Sequence, residues 1–196
     1  MIGFIRGKLV FKSASLICIE TNGLGYELEI PTSTFYDLPQ EGSDVRLVTH
    51  LQVREDSHTL YGFLKDEERQ LFRALTKISG VGARIALGVL SGINVKNFYN
   101  CVSQKDIATL TTLPGVGKKT AERLIIEMQD KVMLGMTAMD SSSSIQSSTL
   151  NEAFNALISL GYKPHEARHV LEKINADGKT VEELLKEALQ IIHNKN

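Results

Sequence analysis

The segment Leu75-Thr-Lys-Ile-Ser-Gly-Val-Gly-Ala-Arg-Ile-Ala is matched, 35 residues further on, by Leu110-Thr-Thr-Leu-Pro-Gly-Val-Gly-Lys-Lys-Thr-Ala. Leu, Thr, Gly, Val, Gly and Ala recur at equivalent places. An internal repeat constrains the fold strongly, because each copy must build the same supersecondary unit. Each copy reads as an apolar helix end, a Gly-Val-Gly turn and a new helix. The new helix carries a basic residue in its first turn: Arg84 in one copy, Lys118 and Lys119 in the other.

The physics of such a turn points to phosphate. Glycine permits positive φ and lets another backbone approach closely. The first N–H groups of the following helix lack intrahelical partners and lie at the positive end of its dipole. Together these make an anion site. Gly80, Val81, Gly82 and Arg84 are therefore candidate phosphate-binding residues, as are Gly115, Val116, Gly117, Lys118 and Lys119. Two such turns in tandem can grip consecutive phosphates without reading a base edge, which predicts sequence-independent, salt-sensitive DNA binding. A packing hairpin with glycine at the helix end explains one copy as well, but two copies with matched basic followers less well. The dinucleotide fingerprint does not fit, since Ile85 and Thr120 occupy its third glycine position. A P-loop does not fit either: Thr112 stands where its first glycine belongs, and Lys119 replaces the Ser or Thr. No ATPase, catalytic residue or cofactor is expected.

The rest of the chain divides around the repeat. Residues 1–64 alternate as strands, with Asn22-Gly23 as a hairpin signal between 15–20 and 26–30. Leu47, Thr49, Leu51 and Val53 alternate with Val48, His50, Gln52 and Arg54, and a second hairpin carries Arg54-Glu55-Asp56-Ser57 at its tip. Several short strands in 64 residues suggest a small closed barrel, because closure removes exposed edges. Residues 65–133 switch to a helical period, with Leu71, Phe72, Leu75 and Ile78 on one face and later helices centred on 86–90 and 121–128. Residues 134–149 hold six serines and one charge and read as a flexible linker. Residues 150–196 read as a three-helix bundle, with helices at 150–160, 164–174 and 181–192. The expected fold class is thus multidomain α+β.

Total charge misleads here. The 196 residues carry 22 Lys plus Arg against 23 Asp plus Glu, net −1, which taken whole argues against a nucleic-acid partner. By segment the charge separates: residues 1–64 are −3, 65–133 are +4, the linker −1 and 150–196 −1. No stretch approaches the ~18 apolar residues of a membrane span. The start Met1-Ile-Gly-Phe-Ile-Arg-Gly-Lys lacks the features of a signal peptide. Cys18 and Cys101 lack metal or disulfide spacing, so they are expected as buried small hydrophobes in a reducing cytoplasm.

Three further features are ambiguous on their own. Adjacent Glu55 and Asp56 on a hairpin tip fit solubilising decoration. His165-Glu-Ala-Arg-His169 has the HExxH spacing of zinc proteases, but the segment offers no third ligand or cleft, so no metal is expected. Leu157, Leu160 and Tyr162 fit either bundle core or part of an apolar interaction groove.

The Gly-Val-Gly repeats resemble helix-hairpin-helix DNA-binding motifs. Leu113-Pro-Gly-Val-Gly-Lys-Lys-Thr-Ala-Glu-Arg-Leu-Ile is similar to the second such motif of the RuvA family, bacterial Holliday-junction branch-migration subunits. The start Met1-Ile-Gly-Phe-Ile-Arg-Gly resembles the same family, as do Val53-Arg-Glu-Asp-Ser-His-Thr-Leu-Tyr-Gly-Phe, residues 72–90, the Ser-rich stretch and Ala156-Leu-Ile-Ser-Leu-Gly-Tyr. The likeness covers nearly the whole chain in collinear order. It implies an OB-fold barrel, a double helix-hairpin-helix domain and a mobile C-terminal domain. It also implies a homotetramer, one or two per junction, that holds a four-way junction open and flat. The implied partners are the RuvB hexameric ATPase and the RuvC resolvase. The tip at Glu55 and Asp56 would be the family's acidic pin, with Arg54 either a phosphate contact beside it or a partner screening the acids. Leu157, Leu160 and Tyr162 would meet RuvB.

A helix-hairpin-helix glycosylase or nuclease is the alternative from another class. It would need Asp106, Asp130 or the run Asp66-Glu67-Glu68 to act in catalysis. A pure protein-interaction module would explain the C-terminal bundle but not the paired basic turns.

Overall fold

Five strands form where apolar and polar residues alternate: β1 (Phe4–Lys12), β2 (Leu16–Thr21), β3 (Leu24–Glu29), β4 (Asp44–Val53) and β5 (His58–Phe63). The structure, a computed structural model, describes residues 1–139, 145–162, 164–174, 176 and 178–193. The strands close into a barrel in the order β1-β2-β3-β5-β4, antiparallel except where β3 meets β5 at Glu29 and Tyr61. This is the five-stranded closure of an OB-fold. Ile5, Leu9, Ile17, Ile19, Leu28, Leu47 and Leu60 fill its interior. Asn22 and Gly23 take φ of 49° and 84°, so the tight hairpin predicted there forms with both central residues left-handed.

The barrel's two faces on β4 and β5 do different work. Leu47 and Thr49 point into the barrel and are fully buried, whereas Val53 at the strand's end is 61% exposed. The alternation expected through Val53 therefore stops short, because the last rungs of β4 and β5 leave the barrel as a free hairpin. On the outer face, Val48, Tyr61 and Phe63 pack into the helical core instead.

That core belongs to α2 (Asp66–Leu75), α3 (Ala83–Gly92), α4 (Val95–Gln104), α5 (Ile107–Thr111) and the first half of α6 (Lys118–Met139). Leu71, Phe72, Leu75 and Ile78, the predicted face, are all buried. The Phe72 ring lies 5.2 Å from Phe63 and 4.8 Å from Tyr61, centroid to centroid. A short helix between β3 and β4, α1 (Thr32–Asp37), adds a second tie. The Thr32 N–H donates to Ser91 Oγ at 2.9 Å, and Ser33 Oγ donates to the Leu90 carbonyl at 2.9 Å. Barrel and helices consequently form one compact unit, Met1–Val132. Residue 64 marks a change of periodicity, not a structural break.

The second unit, Met133–Asn196, is built from α7 (Ile145–Ser159), α8 (Pro164–Leu171) and α9 (Val181–His193). Ala153, Leu157, Ala167, Val170, Leu171, Ile174, Leu184 and Ala188 are its core. The linker expected over 134–149 is helical at 134–139, within α6, and at 145–149, within α7. Once packed turns nucleate a helix, each added residue gains a hydrogen bond at little further cost. Residues 140–144 lie outside the described residues. Both cysteines are free thiols and half-buried rather than fully buried as expected. Among the described residues no helix is long and apolar enough to cross a membrane.

Candidate nucleic-acid interface

The two repeats fold into turns closed by the same three backbone hydrogen bonds. In the first, the Ile78 N–H donates to Leu75 O (2.9 Å), Val81 N–H to Ile78 O (3.0 Å) and Ala86 N–H to Gly82 O (3.0 Å). In the second, Leu113 N–H donates to Leu110 O (3.2 Å), Val116 N–H to Leu113 O (3.1 Å) and Ala121 N–H to Gly117 O (2.9 Å). Gly80 and Gly115 are left-handed, at φ 83° and 77°, the conformation that reverses the chain between helices. Val81 and Val116 are 4% and 5% exposed, and their N–H groups are already engaged in the turns. The buried Val81 and Val116 side chains therefore anchor the turns.

The exposed glycine and the basic residues of the next helix follow each valine. Gly82 caps α3 in an extended conformation with no side-chain hydrogen bond to the helix, leaving the first-turn N–H groups open. A Cβ at Gly82 or Gly117 would meet nothing within 4 Å, so the protein itself does not demand glycine there. Open space above a helix N-terminus suits the approach of another backbone. Arg84, Lys118 and Lys119 are exposed, and among the described residues none of them is in an ion pair.

The spacing between the turns is set by α3. A Cβ on Gly88 would lie 2.6 Å from Pro114 O, and one on Gly92 2.8 Å from Leu113 Cδ2. Ile85 packs on Gly115 in the same way, its Cγ1 lying 3.5 Å from where a Cβ would stand. Ile85, Gly88 and Gly92 share one side of α3, so the second turn seats directly on the first turn's helix. Arg123, from α6, donates its guanidinium to the Ser79 carbonyl at 2.7 Å and lies against Gly80. Sequence reasoning did not single out Arg123, Gly88 or Gly92. The i, i+4 small-residue pair on α3 was the available signal for the last two.

The second hairpin ends as expected. Val53 and His58 form the last rung, and Arg54 N–H closes the tip on Ser57 O at 2.8 Å. Arg54, Glu55 and Asp56 are all exposed. Arg54 makes no ion pair with either acid among the described residues, so both carboxylates stay unscreened at close range.

Three of the acids that an enzyme would need, Asp66, Glu68 and Asp106, are engaged locally, Glu68 by accepting from the Lys65 N–H. Asp106 caps α5 by accepting from Thr109 N–H at 3.0 Å, and the Thr109 hydrogen bonds hold its carboxyl below the usual range. Asp66 accepts from Gln70 at 2.6 Å and is paired with Arg69. The Asp130 side chain lies outside the described residues. No group of three His, Cys, Asp or Glu side chains among the described residues could hold a metal. In the C-terminal unit Leu157 is fully buried and belongs to the bundle core, so it offers no surface. Leu160 is 61% exposed and Tyr162 half-buried, so of the three candidates these two reach the surface of the unit.

The comparisons with known proteins agree with this arrangement. Residues 1–62 match the family described as RuvA N terminal domain, 72–130 the SAM-like Helix-hairpin-helix tandem, and 148–193 the RuvA, C-terminal domain. The Holliday junction branch migration complex subunit RuvA of Methylococcus capsulatus is 50% identical over 97% of this chain and 98% of its own length. The protein of the same description from Nitrosococcus oceani is 47% identical over the same shares, and that from Thioalkalivibrio sulfidiphilus 45%. With an OB-fold barrel, tandem helix-hairpin-helix turns and relatives matched nearly end to end, the chain belongs to the RuvA family.

Proposed function

We propose that this chain is a non-catalytic DNA-binding subunit that holds a four-way junction open and planar as a homotetramer and recruits a RuvB ATPase motor. The observation that carries the DNA reading is the pair of turns with matching hydrogen bonds, locked at a set spacing and each followed by exposed cations, Arg84 in one and Lys118 and Lys119 in the other, that make no ion pair among the described residues. Gly80, Gly82, Gly115 and Gly117 shape these turns. Each turn takes one stretch of phosphate backbone, an interaction that requires no base contact. Affinity should then fall steeply with salt, as counterions are released from each neutralised phosphate.

The acidic tip supplies junction selectivity. Four copies would bring Glu55 and Asp56 together where strands exchange, and their charge would repel phosphate while the basic turns hold the arms. Arg54 beside them contacts the nearest phosphate. Leu160 and Tyr162 present an apolar surface to RuvB, and RuvC acts on the same held junction. ATP hydrolysis belongs to the motor.

A salt-titrated binding comparison of four-way junction with linear duplex tests this reading. Junction preference at moderate salt is expected, and equal affinities would sink it. Replacing Glu55 and Asp56 with Gln and Asn should raise duplex affinity and narrow that preference; unchanged duplex affinity would count against the role of the tip.

A further inference from the structure

Barrel and helices do not close on each other everywhere. Between them lies a cleft of about 700 Å³, within the size range of sites for small ligands. Leu16 on β2, Leu87 on α3 and Pro114 of the second turn give it apolar walls. Thr32 and Ser91 also line it, and the 2.9 Å bond from the Thr32 N–H to Ser91 Oγ ties its two sides together.

Two opposite charges line this cleft without meeting. Glu29 ends β3 and Arg84 stands in the first turn of α3, both exposed, and among the described residues neither is in an ion pair. An acid and a base kept apart in one cleft suit a ligand with an anionic end and a donor end, joined by a body that the apolar walls cover. Arg84 is the cation of the first turn, so a phosphate held on that turn would lie at the rim of the cleft. Tyr61, the ladder partner of Glu29, lines the cleft from β5, the strand that returns from the acidic tip. Burial, then the Glu29 carboxylate, pushes the Tyr61 phenol up, while a hydrogen bond to Thr59 and the Arg54 charge pull it down. The cleft thus borders both the first turn and the hairpin that carries the tip.

We propose that the cleft receives a single unpaired nucleotide, its phosphate on Arg84, its base between the apolar walls, and a base amino group donating to the Glu29 carboxylate. The proposal rests on the reading of this chain as a junction-binding subunit and adds a site to it. Branch migration opens base pairs at the point of exchange. The cost of unstacking, which base-extruding proteins must meet themselves, is therefore already met there. A carboxylate accepts from the amino group of cytosine or adenine, and thymine presents no such group. The cleft would hold a base by its chemistry while the turns hold the backbone without regard to sequence.

The test is fluorescence anisotropy of the full chain with four-way junctions that differ at one position. Beside the exchange point each strand carries an unpaired cytosine, an unpaired thymine or an abasic residue. The cytosine junction is expected to bind about fivefold tighter than the abasic one, the worth of roughly one hydrogen bond, with thymine between them. Glu29→Gln removes a negative charge and raises affinity for all three, so the ratios are the readout. In that variant cytosine and thymine should bind alike, because an amide both donates and accepts, and both should stay ahead of the abasic junction. Equal affinities for the three junctions in the unaltered protein would overturn the proposal, and so would a cytosine preference that Glu29→Gln leaves intact. Calorimetric titration with cytidine monophosphate separates a free nucleotide from one in a strand. Any binding is expected to be displaced by the cytosine junction; binding that an excess of it does not displace would overturn the role of the strand. Equal affinities for fully paired junction and linear duplex would instead sink the junction reading itself, which separates that failure from failure of the cleft.

Discussion

Glycines here serve two purposes that only their surroundings distinguish. Gly88 is glycine because Pro114 O leaves no room for a Cβ, whereas Gly117 has nothing within 4 Å. Gly88→Ala is expected to cost about 1–3 kcal/mol from overpacking, seen as a lower melting temperature together with weaker junction binding. Gly117→Ala should leave the melting temperature nearly unchanged and weaken junction binding, because the added methyl occupies the space of an approaching phosphate. Equal thermal penalties in the two variants would refute the distinction. Arg123 acts across the repeat: Arg123→Ala removes its bond to Ser79 O. A loss of about fivefold in junction affinity is expected, the net worth of roughly one hydrogen bond at ~1 kcal/mol, measured by fluorescence anisotropy. These roles were hidden in the sequence, where Gly88 and Gly117 look alike and Arg123 is one cation among several. The repeat itself, with Arg84, Lys118 and Lys119 at its basic positions, was legible because its residues are contiguous.

Elements differ in how plainly they announce themselves. The hairpin at Asn22-Gly23 and the face of α2 are local patterns, and both formed as read. Helix α4 escaped notice although Asn94 caps it, accepting from Asn97 N–H at 2.8 Å, and Val95, Phe98 and Val102 are its buried stripe. Ten residues with three buried positions compete poorly for attention beside a glycine repeat. Strand β4 shows a coupling no local pattern reveals. His50 is stacked near Tyr61 and Phe72, and its Nδ1 accepts from Arg73 Nε on α2 at 3.3 Å. Burial, then the nearby Arg73 and Arg69 charges, lowers the His50 pKa below 6.5. A group whose pKa falls on folding binds more protons when unfolded, so its stabilising contribution is present above pH 6.5 and is lost as pH falls below it. Thermal stability should therefore decline on acidification from pH 6.5 toward the lowered pKa, and His50→Gln should flatten that decline. An unaltered pH profile in the variant would show that His50 does not report on the joint between β4 and α2.

At the scale of the whole molecule, the chain divides into two compact units, Met1–Val132 and Met133–Asn196. The first holds the basic turns and the acidic tip, and the second holds the exposed Leu160. Deleting residues 150–196 is expected to spare junction binding while abolishing stimulation of the RuvB ATPase. Loss of junction binding in that deletion, assayed by gel shift, would show that the units do not divide the labour this way. The net charge of −1 is the sum of a +4 helical segment and acidic segments around it, so whole-chain neutrality says little about what each part binds.

By itself the sequence determined the barrel's alternating strands, the repeated turns, the basic residues after them and the acidic tip. Each of these depends on neighbours within a few positions, where side-chain period and backbone preference act directly. Only the tertiary structure decided which candidates face outward. It turned Val81, Val116 and Leu157 inward as anchors, joined barrel and helices across residue 64, and carried helix into the serine-rich stretch from both sides. The physical reason is that burial and spacing arise from contacts between residues far apart in the chain. Phe63 against Phe72 and Gly88 against Pro114 are such contacts, and no window of sequence contains the space they leave.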